Sequence, residues 1–136
     1  AINSIFEVGS AISSSKMTLS QDFYQAYKKR WGNYLEAGHG PAPSYESVYI
    51  LAEAIERAGS LNADAIVAAL EKTDRKGVMG RIKFDAGHQV IYDMDPEKAA
   101  TAAVFQWTQG GGRTIVFPPA LAEGKIQLPP GLKAAN

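Results

Sequence analysis

The chain has 136 residues, with 14 basic and 14 acidic side chains and no cysteine. That length suffices for one modest domain with a real core, and the charge balance gives no reason to expect nucleic acid or an anionic membrane as partner. Disulfide and thiolate chemistry are excluded, and no apolar run approaches the roughly 18 residues that span a bilayer.

In chain order, residues 1–9 are rich in Ile, Phe and Val and read as a short buried strand ending at Gly9. The opening residues lack the basic region and cleavage site of a signal peptide, as a mature or truncated product also would. A serine-rich loop follows. Thr18-Leu-Ser-Gln21 is a capping-box pattern that opens a helix over about 18–31. Leu19, Phe23, Tyr27 and Trp31 share its packed face, and Lys28, Lys29 and Arg30 lie on its solvated side. Gly38, Gly40, Pro41 and Pro43 mark a loop.

A second helix is expected over 44–58. Ser44 can be its N-cap, and Glu46 in the first turn suits the helix dipole. Tyr45, Val48, Ala52, Ile55 and Ala58 follow the spacing of one buried face, which Tyr49 and Leu51 widen. Glu53 and Arg57 form an i,i+4 pair, and Gly59 is placed to end the helix. Asn62 can cap a third helix over 62–72, whose apolar face is Ile66, Val67, Ala69 and Leu70. A hairpin over 80–92 turns at Asp85-Ala-Gly-His88. Residues 102–107 and 113–117 are apolar strands, and Gly110-Gly-Gly112 between them signals a turn. From Pro118 onward the chain is punctuated by proline and extended.

This order, one strand, three helices, then strands, does not alternate as a parallel α/β sheet does. It suits a piece of a larger sheet.

Several motifs in sequence resemble the type I solute-binding proteins of branched-chain amino-acid ABC transporters. FYQAYKKRWG is similar to a helix of that family with its glycine stop. YESVYILAEAIERAG resembles its Tyr-Asp-Ala-Val helix, with Glu46 and Ser47 in place of Asp and Ala. KGVMGRIKFDAGHQV resembles its Gly-x-x-Gly-x-x-x-Phe-Asp turn, one residue shorter between Asp85 and Gly87, and VFQW, FPP and LAEGKIQLPP resemble its closing strands and tail. The resemblance implies the C-terminal part of a two-lobe, Venus-flytrap α/β fold. Residues 1–9 would lie at or near an interlobe crossing, 10–89 in the first lobe, 90–103 in a second crossing, and 104–136 in the closing strands and tail of the second lobe.

By the same resemblance the chain is an extracytoplasmic, periplasmic binding component. It would hold an amino acid or related small carboxylate between lobes and deliver it to a membrane permease. A ligand-sensing domain of the same fold is the alternative. The partners implied are that ligand, the permease, the missing N-terminal portion and, for a fragment, a second copy. No cofactor, metal or enzymatic activity is implied. In the family, the loop before the Tyr-Asp-Ala-Val helix faces the cleft. Here that gives Ala42 and Pro43 as wall residues and Ser44 and Tyr45 as contacts, with Phe6 and Glu7 beside the hinge. A helix N-terminus suits a carboxylate, but Ser44 can equally be only an N-cap and Tyr45 only a core aromatic. His39 and His88 read as turn or surface residues, since metal binding needs several convergent ligands. Ser13 to Ser15 lack a nucleophile-elbow context, and the triple glycine lacks the Lys-Ser/Thr of a phosphate loop.

Overall fold

The computed structural model describes residues 14–32, 40–109 and 111–133 and the backbone of residues 6–10. Its elements are β1 (Phe6–Ser10), α1 (Thr18–Trp31), α2 (Pro41–Ala58), α3 (Ala63–Leu70), β2 (Asp74–Gly77), β3 (Gly80–Lys83), β4 (Ala102–Trp107) and β5 (Arg113–Phe117). They gather around two clusters of buried side chains.

The first cluster holds Ala42, Ile50, Val78, Met79, Ile82 and Ala100, with Phe23, Tyr24, Tyr27 and Leu70 packed against it. Helices α1 and α2 and the β2–β3 hairpin build it. Val78 and Met79 form the two-residue turn of that hairpin, and both are buried. The turn is held from two sides. Ser20 of α1 donates to the Val78 carbonyl, and the Val78 amide donates to Glu46 of α2. A buried turn must find partners for its backbone groups; here a hydroxyl and a carboxylate supply them.

The second cluster, Met17, Ala103, Phe105, Ile115 and Leu121, lies on an antiparallel sheet of order β1-β4-β5. A bulge at Val104/Phe105 shifts the β4–β5 register. The tail is tied back to this sheet. Gln106, buried on β4, donates to the Gln127 carbonyl at 2.7 Å and accepts from the Gln127 amide at 2.9 Å. Glu123 accepts from the Ser15 amide and hydroxyl at 2.7 and 2.8 Å.

Residues 93–101 run past β3. The Arg81 amide donates to the Pro96 carbonyl at 2.9 Å and the Thr101 amide to the Met79 carbonyl at 2.8 Å. Gly80, at φ +95°, makes this approach possible, because a Cβ there would meet the Ala99 carbonyl at 2.7 Å.

Several local expectations change. Helix α1 spans the expected residues, but its N-cap is Met17 without a side-chain cap bond, so Thr18 does not open it as a capping box. Phe23 and Tyr27 do pack inward, whereas Leu19 and Trp31 are exposed. Helix α2 starts three residues earlier than expected, at Pro41. Prolines break helices by lacking an N–H and by clashing with the preceding turn, and neither penalty applies in the first turn. The buried face of α2 is Ala42, Glu46, Ile50 and Ala54, whereas Tyr45, Val48, Tyr49 and Leu51 are exposed. Arg57 donates to the Ala69 carbonyl at 2.7 Å, and Glu53 pairs with Arg75, so the Glu53–Arg57 pair does not form as expected. The Asn62 cap does form, accepting from the Ala65 amide at 3.1 Å. Strand β2 was not expected, and the hairpin partner of β3 is β2; the 84–92 turn contributes single bridges, such as Phe84 with Val90.

Candidate functional site

Helix α2 positions four of the six candidate residues. Its N-cap, Gly40, has no side chain to offer the first amides. Pro41 and Pro43 have no amide hydrogens, and the Ser44 amide is already bonded to the Gly40 carbonyl at 3.0 Å. An anion-binding helix N-terminus depends on several unpaired N–H groups converging. Among residues 41–44 only Ala42 could supply one, so few helix amides are left for the expected carboxylate grip. Ser44 is not the N-cap; it lies inside the helix with its side chain at the surface.

The four residues also separate around the helix axis. Ala42 is 0% exposed and belongs to the first core cluster. Pro43 faces a surface cavity of about 160 Å³ with Ser47, Ile50, Met79, Phe84 and Tyr92. Tyr45 lines another, of about 300 Å³, with Asp22, Phe23, Glu46, Arg75 and Gly77. Phe6 and Glu7 lie on β1, opposite Gln106 and Phe105 of β4, where only their backbone is described. They belong to the sheet unit, whereas Ala42 to Tyr45 belong to the helical one. His39 lies outside the described residues. His88, at φ +60°, closes the 85–88 turn and faces Glu71 at 3.0 Å. No group of three or more potential metal ligands occurs among the described residues.

Around Tyr45 the geometry is specific. Its ring centroid lies 4.6 Å from that of Phe23 and 5.0 Å from that of Tyr49. Its phenol is held above the ordinary tyrosine range, first by the hydrogen bond with Tyr49 and then by burial. Arg75 sits beside this row, its guanidinium 4.9 Å from the Tyr49 ring centroid. It bonds Glu46 at 2.8 Å and also Glu53. Partial burial opposes the Arg75 charge, but the two carboxylates more than offset that and raise its pKa. Glu46 is 1% exposed, so its negative charge is balanced by Arg75 and the Val78 amide together. Gly77 leaves room for it: a Cβ there would overlap the Glu46 carboxylate.

Sequence reasoning missed Arg75 and misread Glu46. The Asp74-Arg-Lys-Gly77 run has no apolar alternation to mark it as a strand. A glutamate early in a helix reads as a dipole partner unless its buried face is known. The one usable signal was Gly77, three residues before Gly80, where close packing needs a missing side chain.

An antiparallel three-stranded sheet and a helical layer with a hairpin, each with its own buried cluster, make a partial α/β arrangement of the two-lobe, Venus-flytrap class. Solved structures support that fold. A Silicibacter pomeroyi protein described as a branched-chain amino acid ABC transporter superimposes with a TM-score of 0.73 at 20% identity, over 90% of this chain and 33% of that one. A leucine-binding protein of Thermotoga maritima superimposes with a TM-score of 0.63 at 23% identity, over 82% of this chain and 29% of that one.

The chain belongs to the periplasmic binding protein family, whose model matches residues 9–117. Among its relatives, the Leu/Ile/Val-binding protein homolog 7 of Brucella melitensis and that of Brucella suis are each 30% identical over 123 residues, 88% of this chain. The chain spans only 29% of the length of either relative.

Proposed function

We propose that this chain is part of the extracytoplasmic solute-binding component of an ABC transporter. In this reading it helps hold an amino acid or related small carboxylate between two lobes, for delivery to a membrane permease. The family membership of residues 9–117 carries the reading, and the Leu/Ile/Val-binding names of the relatives support the ligand class. The mechanism is ligand-stabilised closure of one lobe on the other, with no covalent step. Residues 1–9 and 90–103 are the proposed interlobe crossings, 10–89 part of the first lobe and 104–136 of the second.

The chemistry of the site follows from what α2 presents. With few helix amides free, a carboxylate grip falls mainly to groups outside this chain or to the Ser44 hydroxyl. Tyr45 offers an aromatic surface, and Pro43 an apolar wall. Ala42 is proposed as the buried support of that wall. Phe6 and Glu7 would act at the hinge of the closing lobes.

The site is proposed to be incomplete in these 136 residues. Isothermal titration calorimetry with leucine, valine and phenylalanine tests this. The isolated chain is expected to show no micromolar binding, and the complete polypeptide that carries it is expected to bind one of these acids. Micromolar binding by the isolated monomer would show that its cleft is already whole. Silence of the complete polypeptide toward all amino acids would remove the proposed ligand class.

A further inference from the structure

The C-terminal end of α1 carries a set of side chains that solute binding does not use. Lys28, Lys29 and Arg30 occupy its last turn and are all exposed. Trp31 beside them is 57% exposed, and Arg30 lies over its ring, 5.1 Å from the centroid. The indole is seated. Its centroid is 6.5 Å from that of Tyr27, which is 6.4 Å from that of Phe23, and Phe23 and Tyr27 pack against the first core cluster. Among the described residues none of the three cations has an acidic partner. Asp22, the one acidic residue of α1, precedes Lys28 by six residues, about 9 Å along the axis. Acidic and basic side chains balance over the whole chain, 14 of each, so the positive charge here is a local concentration that the overall count hides. The helix dipole favours a cation at this end, but it gives no reason for an exposed indole among three of them.

We infer that Lys28, Lys29, Arg30 and Trp31 dock this end of α1 on the headgroup layer of an anionic phospholipid membrane. The four side chains are consecutive, so at about 100° per residue they ring the helix end and line no groove. A folded acidic partner would need a matching concavity, whereas a fluid headgroup layer needs none. Lysine and arginine lay their stems along apolar surface while keeping the charge in water, and an indole, apolar in body with one N–H, suits the same boundary. Each Lys or Arg near an anionic surface strengthens association about fivefold. Three cations therefore give a preference on the order of a hundredfold for anionic over neutral lipid, a reversible attachment and not an anchor. Because Trp31 leans on Tyr27 and Phe23, docking orients the helical unit as well as holding it. The inference goes beyond the proposed solute binding and does not depend on which solute is bound.

The test is sedimentation with vesicles of phosphatidylcholine alone and of phosphatidylcholine with phosphatidylglycerol, for this chain and for the complete polypeptide that carries it. The variants are Lys28→Gln with Lys29→Gln, Trp31→Ala, and, as a charge-matched control, Lys72→Gln with Lys125→Gln, two exposed lysines elsewhere. Melting temperatures show whether each variant is folded. The unaltered chain adds a measurement that needs no variant: its tryptophan emission is expected to move to shorter wavelength on anionic vesicles, and about 1 M salt should reverse the shift. Anionic vesicles are expected to be bound far more tightly than neutral ones. The Lys28–Lys29 pair should weaken that binding about twentyfold, Trp31→Ala should weaken it and abolish the emission shift, and the control pair should leave it close to the unaltered value. Equal binding to neutral and anionic vesicles, or none to either, would overturn the inference. So would equal losses from the control pair, which would make the attraction diffuse, and unchanged binding by Trp31→Ala. Binding to polyglutamate as tight as to the vesicles, with the same dependence on Lys28, Lys29 and Trp31, would make an acidic polypeptide the occupant and overturn it too. Amino-acid binding by the complete polypeptide is measured separately; its absence would count against the proposed function and leave the vesicle result to stand on its own.

Discussion

Glu46 shows most clearly how a single side chain is used here. A carboxylate at 1% exposure is tolerable only when paired and hydrogen-bonded, and Arg75 with the Val78 amide supplies both. Glu46→Ala is expected to cost about 2–4 kcal/mol, because Arg75 keeps Glu53 and some solvent yet loses its buried partner. Gly77→Ala is expected to cost about 1–3 kcal/mol through overpacking against the same carboxylate. The two losses should add to less than their sum, since removing Glu46 also removes the clash. Urea midpoints of the single and double variants check this, and strict additivity would mean that Gly77 matters for another reason. A second residue-scale effect is electrostatic. Arg81 donates two hydrogen bonds to Asp74, at 2.6 and 2.7 Å, and holds that carboxyl below the ordinary aspartate range. A depressed folded pKa contributes stability above the unfolded value, which is lost as pH falls through the folded one. Arg81→Gln should therefore raise the Asp74 midpoint in a carboxyl NMR titration. It should also lower stability near neutrality, with the difference closing once acid has protonated both states. The pair is exposed, so the effect is small.

At the scale of elements, helix α2 decides the most. Its existence, its end at Gly59 and its apolar content are legible in the sequence, because glycine termination and three-to-four spacing are local signals. Which of its faces points inward is not. Two apolar faces compete, and the one enclosed here is the one whose Glu46 Arg75 and the Val78 amide can satisfy. Ile50→Ala is expected to cost about 2–4 kcal/mol, whereas Val48→Ala in the isolated chain should stay within about 0.5 kcal/mol. Equal effects in denaturant unfolding would place Val48 inside as well. The start of α2 was misread for a related reason. Paired prolines are ordinary loop punctuation, and only the observed course of the chain shows them lying in a first turn, where their missing N–H groups are harmless. That same turn weakens the carboxylate-binding role expected of it. Helix α3 and strands β4 and β5 fall where expected, each having a local marker: the Asn62 cap, apolar runs and a glycine turn.

At the scale of the molecule, two buried clusters and several exposed apolar side chains coexist. Val48, Trp31 and Leu61 are more than half exposed and Leu51 nearly half, and Val48 and Leu51 adjoin on α2, as apolar side chains at a partner surface do. Light scattering at rising concentration should therefore show a weight-average mass climbing above 14.6 kDa. A mass that stays flat up to millimolar concentration would mean that these residues are too scattered to act together. The sequence by itself determined the family, the order of most elements and the sense of an incomplete sheet, because motif order, helix ends and glycine turns are encoded over a few neighbouring residues. The tertiary structure alone decided that Glu46 is a buried ion-pair partner, that Arg75 stands beside Tyr45, and that Pro43 and Tyr45 open on different sides of α2. Those facts depend on residues 20 or more positions apart meeting in space. Spacing along one helix cannot specify such meetings when both of its faces are apolar.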